Sequence, residues 1–234
     1  MKIDNAVALV TGANRGIGLA FAKALVARGA RKVYAGARDP ASVALPRGVP
    51  IRLDVTKAED VAAAVAKCGD VTLVVNNAGV AQPGGFLLAD SEEVARRMLE
   101  VNFFGVLRMS KAFAPVLATN GGGALLNVLS VASFFNPGGL AAYAASKSAA
   151  WSLTNSLRFE LAAQKTQVLA LHMGFVDTDL VKDLDVPKTS PDEIARIALD
   201  GLEAGLEEVL ADDRTRLVKA GLTAPRPFYL PQQP

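Results

Sequence analysis

The chain has 234 residues, 51% of them hydrophobic, enough for one sizeable core, and α/β chains of this length commonly form one domain. Its net charge of +2 comes from dispersed basic and acidic residues, which argues against a nucleic-acid surface, and no apolar run approaches the ~20 residues that cross a bilayer. A single cysteine, Cys68, rules out an intrachain disulfide, and with a single histidine, His172, a transition-metal site is not expected.

A short apolar strand is predicted at residues 6–10, which leaves no room for a signal peptide before it and points to the cytoplasm as the place of work. Thr11 and the run GANRGIG follow, then a helical pattern with Leu19, Ala22, Leu25 and Val26 on one side and Gly29 at the expected C-terminal glycine position. Gly12, Gly16 and Gly18 therefore occupy a turn from strand to helix. Such a turn brings bare backbone and a helix N-terminus up to a pyrophosphate. Side chains at Gly12 or Gly16 would hold the phosphates off, and Gly18 lets the helix pack closely.

A second strand is predicted at 32–36, followed by Ala37 and Arg38. An acidic residue there would bind the ribose hydroxyls of NAD, whereas arginine accommodates the 2′-phosphate of NADP. Arg15 is a second guanidinium facing the same region, and its forked donors suit phosphate. Asp39 is expected to turn outward with Pro40. Thr56 and Glu59 read as a capping box, so a helix is predicted after Thr56. Cys68 falls in that alanine-rich helix as an inert small hydrophobe.

Further buried-strand runs fall at 71–75, 124–129 and 167–171, with a shorter candidate at 208–211. His172 ends the third of these and is expected to be packed or hydrogen-bonded. Ser190, Pro191 and Glu193 supply an N-cap, a proline at the first helical position and a capping acid. This alternation predicts an α/β fold: one doubly wound, Rossmann-type domain over residues 1–234, with about seven parallel strands and helices on both faces. A proline-rich tail at 224–234 is either a partner-binding strap or unstructured. The glycine turn, Arg38, Asp54, Asn76 and Ser130 all fall at predicted strand ends, where such sheets bind ligands.

Tyr143 and Lys147 lie four residues apart in AAYAASKSAA, and Ser130 lies thirteen before the tyrosine. On a helix beginning near Leu140, residues four apart are neighbours, so a phenol stands beside an ammonium group. A nearby positive charge lowers a phenol's pKa from ~10 toward the working range, making proton exchange with an alcohol or carbonyl oxygen feasible.

Together these pieces resemble the short-chain dehydrogenase/reductase family, from about Val7 to Thr178. TGANRGIG looks like the cofactor turn, with Gly12, Asn14, Arg15, Gly16, Ile17 and Gly18 as its contacts. The resemblance further implies that Asp54 and Val55 of RLDVT contact the adenine, and that Asn76, Ala78 and Gly79 of NNAG line the cofactor site. Gly174, Val176 and Thr178 would lie against the nicotinamide carboxamide. Asn102, Ser130, Tyr143 and Lys147 would form the catalytic tetrad, with Tyr143 and Lys147 also holding the cofactor. Two departures stand out: Met173-Gly174 replaces the usual Pro-Gly pair, and the usual glycine-rich ending after the seventh strand is missing.

The resemblance implies hydride transfer from NADPH to a small-molecule ketone or aldehyde. Tyr143 would donate the proton, Lys147 would stabilise the phenolate and hold the nicotinamide ribose, Ser130 would bind the substrate oxygen, and Asn102 would hold a water. Oxidation of an alcohol, a non-catalytic NADPH sensor and an assembly partner remain alternatives. Family members pair commonly, so a homodimer or homotetramer is expected, with the stripe at 149–161, including Trp151 and Phe159, as its surface. The short connection from Thr178 to Ser190 suggests an open pocket, with Phe134, Phe135, Leu140 and Phe175 as wall candidates.

Overall fold

In the computed structural model, which describes residues 1–136, 138–179, 181 and 185–230, seven parallel strands form one sheet of order β3-β2-β1-β4-β5-β6-β7. They are β1 (Val7–Thr11), β2 (Lys32–Ala37), β3 (Val49–Arg52), β4 (Leu73–Asn76), β5 (Gly123–Val128), β6 (Thr166–His172) and β7 (Glu208–Leu210). Parts of the 178–190 connection and the end of the tail lie outside the described residues.

Continuous apolar runs form these strands because both faces are covered. Side chains alternate across β1: Ala8 and Val10 enter one cluster, Val7 and Leu9 the other. The first cluster packs against helices α1 (Gly16–Ala27) and α6 (Pro191–Glu203) through Phe21, Leu25, Ile194 and Leu199. The second packs against α2 (Ala58–Lys67), α4 (Val106–Thr119) and α5 (Ala141–Glu160) through Val61, Phe113 and Leu157. Two more helices are α3 (Ser91–Leu99) and α7 (Asp213–Ala220). The strand order reverses between β1 and β4, which opens a crevice at the carboxyl edge.

The predicted cap at Ser190 forms, its Oγ accepting from Glu193 N at 3.1 Å. The Glu193 carboxylate turns to Arg196 instead of back to the cap. The capping box at Thr56 does not form. Lys57 is the N-cap of α2 and gives no side-chain bond. The Thr56 hydroxyl is committed to Asp54 Oδ1 at 2.8 Å, because the aspartate closes its own turn first. Asp39 turns outward as expected, accepting from Ala41 N at 3.0 Å. Cys68 is buried at the end of α2, where burial, reinforced by the charge of Asp70, pushes its thiol up to about 12.

Candidate active site at the carboxyl edge

The turn between β1 and α1 is made of close backbone contacts. Gly12 and Gly16 have φ of 65° and 53°, a region that favours glycine. A Cβ on Gly18 would lie 2.2 Å from Gly12 O and 2.5 Å from Asn77 Nδ2, so this residue packs on the turn itself. A Cβ on Gly12 would lie 3.1 Å from Ala78 Cα, and one on Gly16 3.3 Å from Thr178 Cγ2. Thr11 and Asn77, which the sequence reading did not single out, fasten the turn to β4. Thr11 Oγ1 accepts from the N–H groups of Asn77 and Ala78 at 3.0 and 2.9 Å. Asn77 Nδ2 donates to Thr11 O and Gly12 O at 2.9 and 3.3 Å.

Arg15 is the N-cap of α1 and supplies no side-chain cap, and no acidic residue sits in the first turn. The helix N-terminus is thereby kept for an anion, with Asn14, Gly16 and Ile17 half-buried beside it. The Arg15 guanidinium reaches Asp179 at 2.9 Å, both side chains well exposed. Arg38 is exposed at the end of β2, close enough that its charge acts on Asp54. Burial pushes the Asp54 carboxyl up. Two hydrogen bonds from Thr56, with Arg38 and Lys57, outweigh it and hold the group below the usual range. Val55 is buried against Gly105, so its backbone is what it can offer a ligand.

Asn76 departs from expectation. As the last residue of β4 it follows Val74 toward the α4–α5 face, where it is 3% exposed. Its Nδ2 donates to Asn127 Oδ1 at 2.8 Å and to Ser110 Oγ at 3.4 Å, and Asn127 in turn donates to Thr154. The side chain braces β4 to β5 and does not face the crevice. The signal was the period of two, which turns the next residue, Asn77, to the glycine turn.

The catalytic candidates converge. Ser130 lies just beyond β5 and caps a short 3-10 turn, its Oγ accepting from Ala132 N at 3.1 Å. Tyr143 and Lys147 are on successive turns of α5, with Lys147 Nζ 5.8 Å from the tyrosine ring centroid. Lys147 is 6% exposed, and its Nζ donates to Val128 O at 2.8 Å. Burial pulls this ammonium down to about 8. Burial likewise pushes the Tyr143 phenol up, with a Ser130 hydrogen bond pulling the other way. The direction is opposite to the lowering expected from Lys147, because taking the charged phenolate out of water costs more than the Ser130 hydrogen bond returns.

Asn102 lies in a π-helical segment, Glu100–Gly105, between α3 and α4. Its Oδ1 accepts from Val80 N, and its Nδ2 donates to Val80 O and to Ser146 Oγ, all at 2.9 Å. Both side-chain amide atoms are thus engaged within the protein. The same lock sets Gly79 beside Lys147: a Cβ there would lie 3.7 Å from Nζ.

Beyond β6, Gly174 N donates to Asp212 Oδ2 at 2.6 Å, and Asp212 Oδ1 caps α7 through Thr215 N at 2.8 Å. This cap ties the end of β6 to the C-terminal segment, where the glycine-rich ending is missing. Val176 bridges Thr189, closing the base of the 178–190 connection. Thr178 Oγ1 donates to Val176 O at 3.2 Å, and its methyl faces Gly16.

One wall candidate proves to be interior. Phe134 is 8% exposed and stacks on His172 with centroids 4.3 Å apart. Trp151, of the 149–161 stripe, is half-buried and packs edge-on against Phe134 at 4.8 Å. Phe135, Leu140 and Phe175 stay half-buried. The described part of the tail folds back, Pro227 buried and Phe228 6.5 Å from Phe135. A cleft of about 470 Å³ opens beside the first turn of α5, lined by Phe86, Leu87, Leu88, Asn136 and Ala141.

The family profile described as short chain dehydrogenase matches residues 6–188. A solved short chain dehydrogenase from Burkholderia cenocepacia J2315, in complex with NADP, is 40% identical with a TM-score of 0.92, covering 96% of this chain and 95% of that one. Dehydrogenase/reductase SDR family member 4 of Oryctolagus cuniculus is 36% identical over 204 residues, 82% of this chain and 78% of that protein. The 3-oxoacyl-[acyl-carrier-protein] reductase FabG of Vibrio cholerae is 33% identical over 194 residues, 79% of each chain.

Proposed function

The chain belongs to the short-chain dehydrogenase/reductase family, and on that premise we propose that it reduces a ketone or aldehyde to an alcohol in the cytoplasm. It is an NADP-dependent oxidoreductase, and the turn fits the cofactor: Gly12 and Gly16 keep it bare of side chains, Gly18 packs against it, and the N-terminus of α1 has no side-chain cap to compete with a pyrophosphate. Arg15 and Arg38 would hold the 2′-phosphate; Asp54 and Val55 the adenine; Ala78, Gly79, Gly174, Val176 and Thr178 the nicotinamide end. When bound, NADPH supplies a hydride to the carbonyl carbon.

The observation that carries the reading is the convergence of the Ser130 hydroxyl beyond β5 with the Tyr143 phenol and the buried Lys147 ammonium of α5, whose Nζ lies 5.8 Å from the tyrosine ring centroid. A phenol that stays protonated at neutral pH is ready to give its proton to a developing alkoxide. Ser130 orients the oxygen, Lys147 stabilises the phenolate that remains, and Asn102 offers its carbonyl to a water that returns the proton. The apolar cleft beside α5 suits a carbonyl compound with a bulky apolar substituent.

Loss of reduced-nicotinamide absorbance with a panel of ketones, aldehydes, quinones and diketones tests this. Tyr143→Phe should cost a factor of about 10²–10⁴ in turnover while NADPH affinity stays within a few fold. Retained turnover in that variant would sink the assignment. NADPH binding without oxidation of any panel member would favour the sensor, and NADH preference an oxidative alcohol dehydrogenase.

Phe159 on α5 and Phe104 beside α4 are 85% and 42% exposed, which supports pairing of copies through these helices. Phe159→Glu should reduce the particle mass seen by light scattering; an unchanged mass would place the interface elsewhere.

A further inference from the structure

His172, the last residue of β6, is 0% exposed and lies directly behind Ser130. Its Nδ1 is 3.1 Å from the Ser130 carbonyl oxygen. A carbonyl can only accept, so Nδ1 carries the proton and Nε2 is the bare nitrogen. Nε2 has no hydrogen-bond partner among the described residues. Glu208 Oε1 of β7 lies 3.6 Å from it, and that carboxylate is ion-paired with Lys219 of α7. Burial first, then the charges of Lys219, Arg158 and Lys147, pulls the imidazole down to about 3, so it stays neutral. Phe134 stacks on the ring, and Trp151 meets it edge-on at 6.1 Å.

The bond extends the β5–β6 pairing. Leu129 N donates to Leu171 O and Val131 N to Met173 O, both at 2.8 Å. The carbonyl between them, that of Ser130, also accepts from Ser133 N at 3.0 Å. Ser130 thus sits where the strand becomes a turn, and its peptide is held on one side by the turn and on the other by the imidazole.

We propose that His172 is a positioning residue for proton transfer: its Nδ1–H fixes the Ser130 peptide so that the hydroxyl meets the Tyr143 phenol. This rests on the catalytic reading above, so the test includes a readout that needs no turnover. In His172→Asn the amide nitrogen takes the place of Nδ1; in His172→Gln the donor moves to the place of Nε2; His172→Leu keeps bulk and removes the donor. Titration of the Tyr143 phenol by carbon-13 NMR of labelled tyrosine follows the Ser130 contact directly, with the three tyrosines sorted by Tyr143→Phe.

The phenol should titrate higher in the Leu and Gln variants and at its wild-type pH in the Asn variant. Turnover should fall about tenfold in Leu and Gln, with NADPH affinity within twofold, and recover in Asn. An unmoved phenol in folded Gln or Leu protein would overturn the proposal. So would an Asn variant no better than Gln at equal Tm, since shape and not the donor would then matter. Absent turnover in the wild type with the phenol shifts intact would count against the catalytic reading alone.

Discussion

Between β1 and β4 the rim of the sheet is shaped by missing side chains, and between β5 and β6 by buried ones. At the glycine turn, backbone meets backbone: a single added carbon at Gly18 would sit 2.2 Å from a carbonyl oxygen. On the other side an ammonium, a phenol and an imidazole are drawn out of water, and each is displaced from its ordinary pKa by burial. The four buried side-chain polar atoms without a partner among the described residues, on Asn76, Ser133, Trp151 and His172, also fall on or beside β4, β6 and α5. The first region therefore fails by steric overlap, and the second carries a standing electrostatic cost that its chemistry requires.

Lys147→Met separates the two most sharply. Turnover should drop by about 10²–10⁴, since the phenolate loses its cation. Folding stability at pH 7 should nevertheless rise. The folded ammonium titrates at about 8 against the ordinary 10.5. The unfolded chain therefore binds the proton more tightly, and below about 8 the native state bears the whole cost, up to about 3 kcal/mol. Losing the bond to Val128 O offsets part of this, leaving a Tm gain of about 2–6 °C at pH 7. The advantage should shrink as pH rises from 8 toward 10.5 and vanish above it, where the wild-type lysine is neutral in both states. A Tm that falls at pH 7, measured by calorimetry, would mean that the buried amine stabilises the fold.

Gly18→Ala probes the opposite region. The new methyl cannot coexist with Gly12 O, so the turn must open, at about 1–3 kcal/mol. NADPH affinity should fall by at least about tenfold in a fluorescence titration, while the Tyr143 titration stays put. If the phenol moved as well, the two regions would not be independent.

The narrowest effect is expected at Arg38. Arg38→Ala should raise the KM for NADPH about 10–100-fold and leave that for NADH nearly unchanged, since only the 2′-phosphate contact is removed. Equal losses with both cofactors would assign Arg38 to shaping the Asp54 turn.

Most of the architecture was legible because both periodicities were strong. Apolar runs marked six of the seven strands to within about two residues, β3 receiving no bounds, and Ser190 with Pro191 marked the start of α6 to the residue. Tyr143, Lys147 and Ser130 were legible from spacing, since helical geometry and a strand end suffice to bring them together. Asn76 was misread because its motif was taken as a unit, while alternation in β4 sends its neighbour, Asn77, to the turn. Thr56 was misread as a cap because Asp54 competes for the same hydroxyl, a contest among near neighbours that a spacing rule cannot weigh.

The sequence by itself determined the parallel sheet, the glycine turn and the grouping of Ser130, Tyr143 and Lys147, because these follow from local periodicity and residue chemistry. Only the tertiary structure decided the direction of the Tyr143 shift, the pairing of His172 with Ser130, the interior place of Phe134, and the Asp212 tie to Gly174. Each depends on how much water is excluded and on which distant group fills the space. Those quantities arise when helices close over both faces of the sheet, and no single segment of the chain contains them.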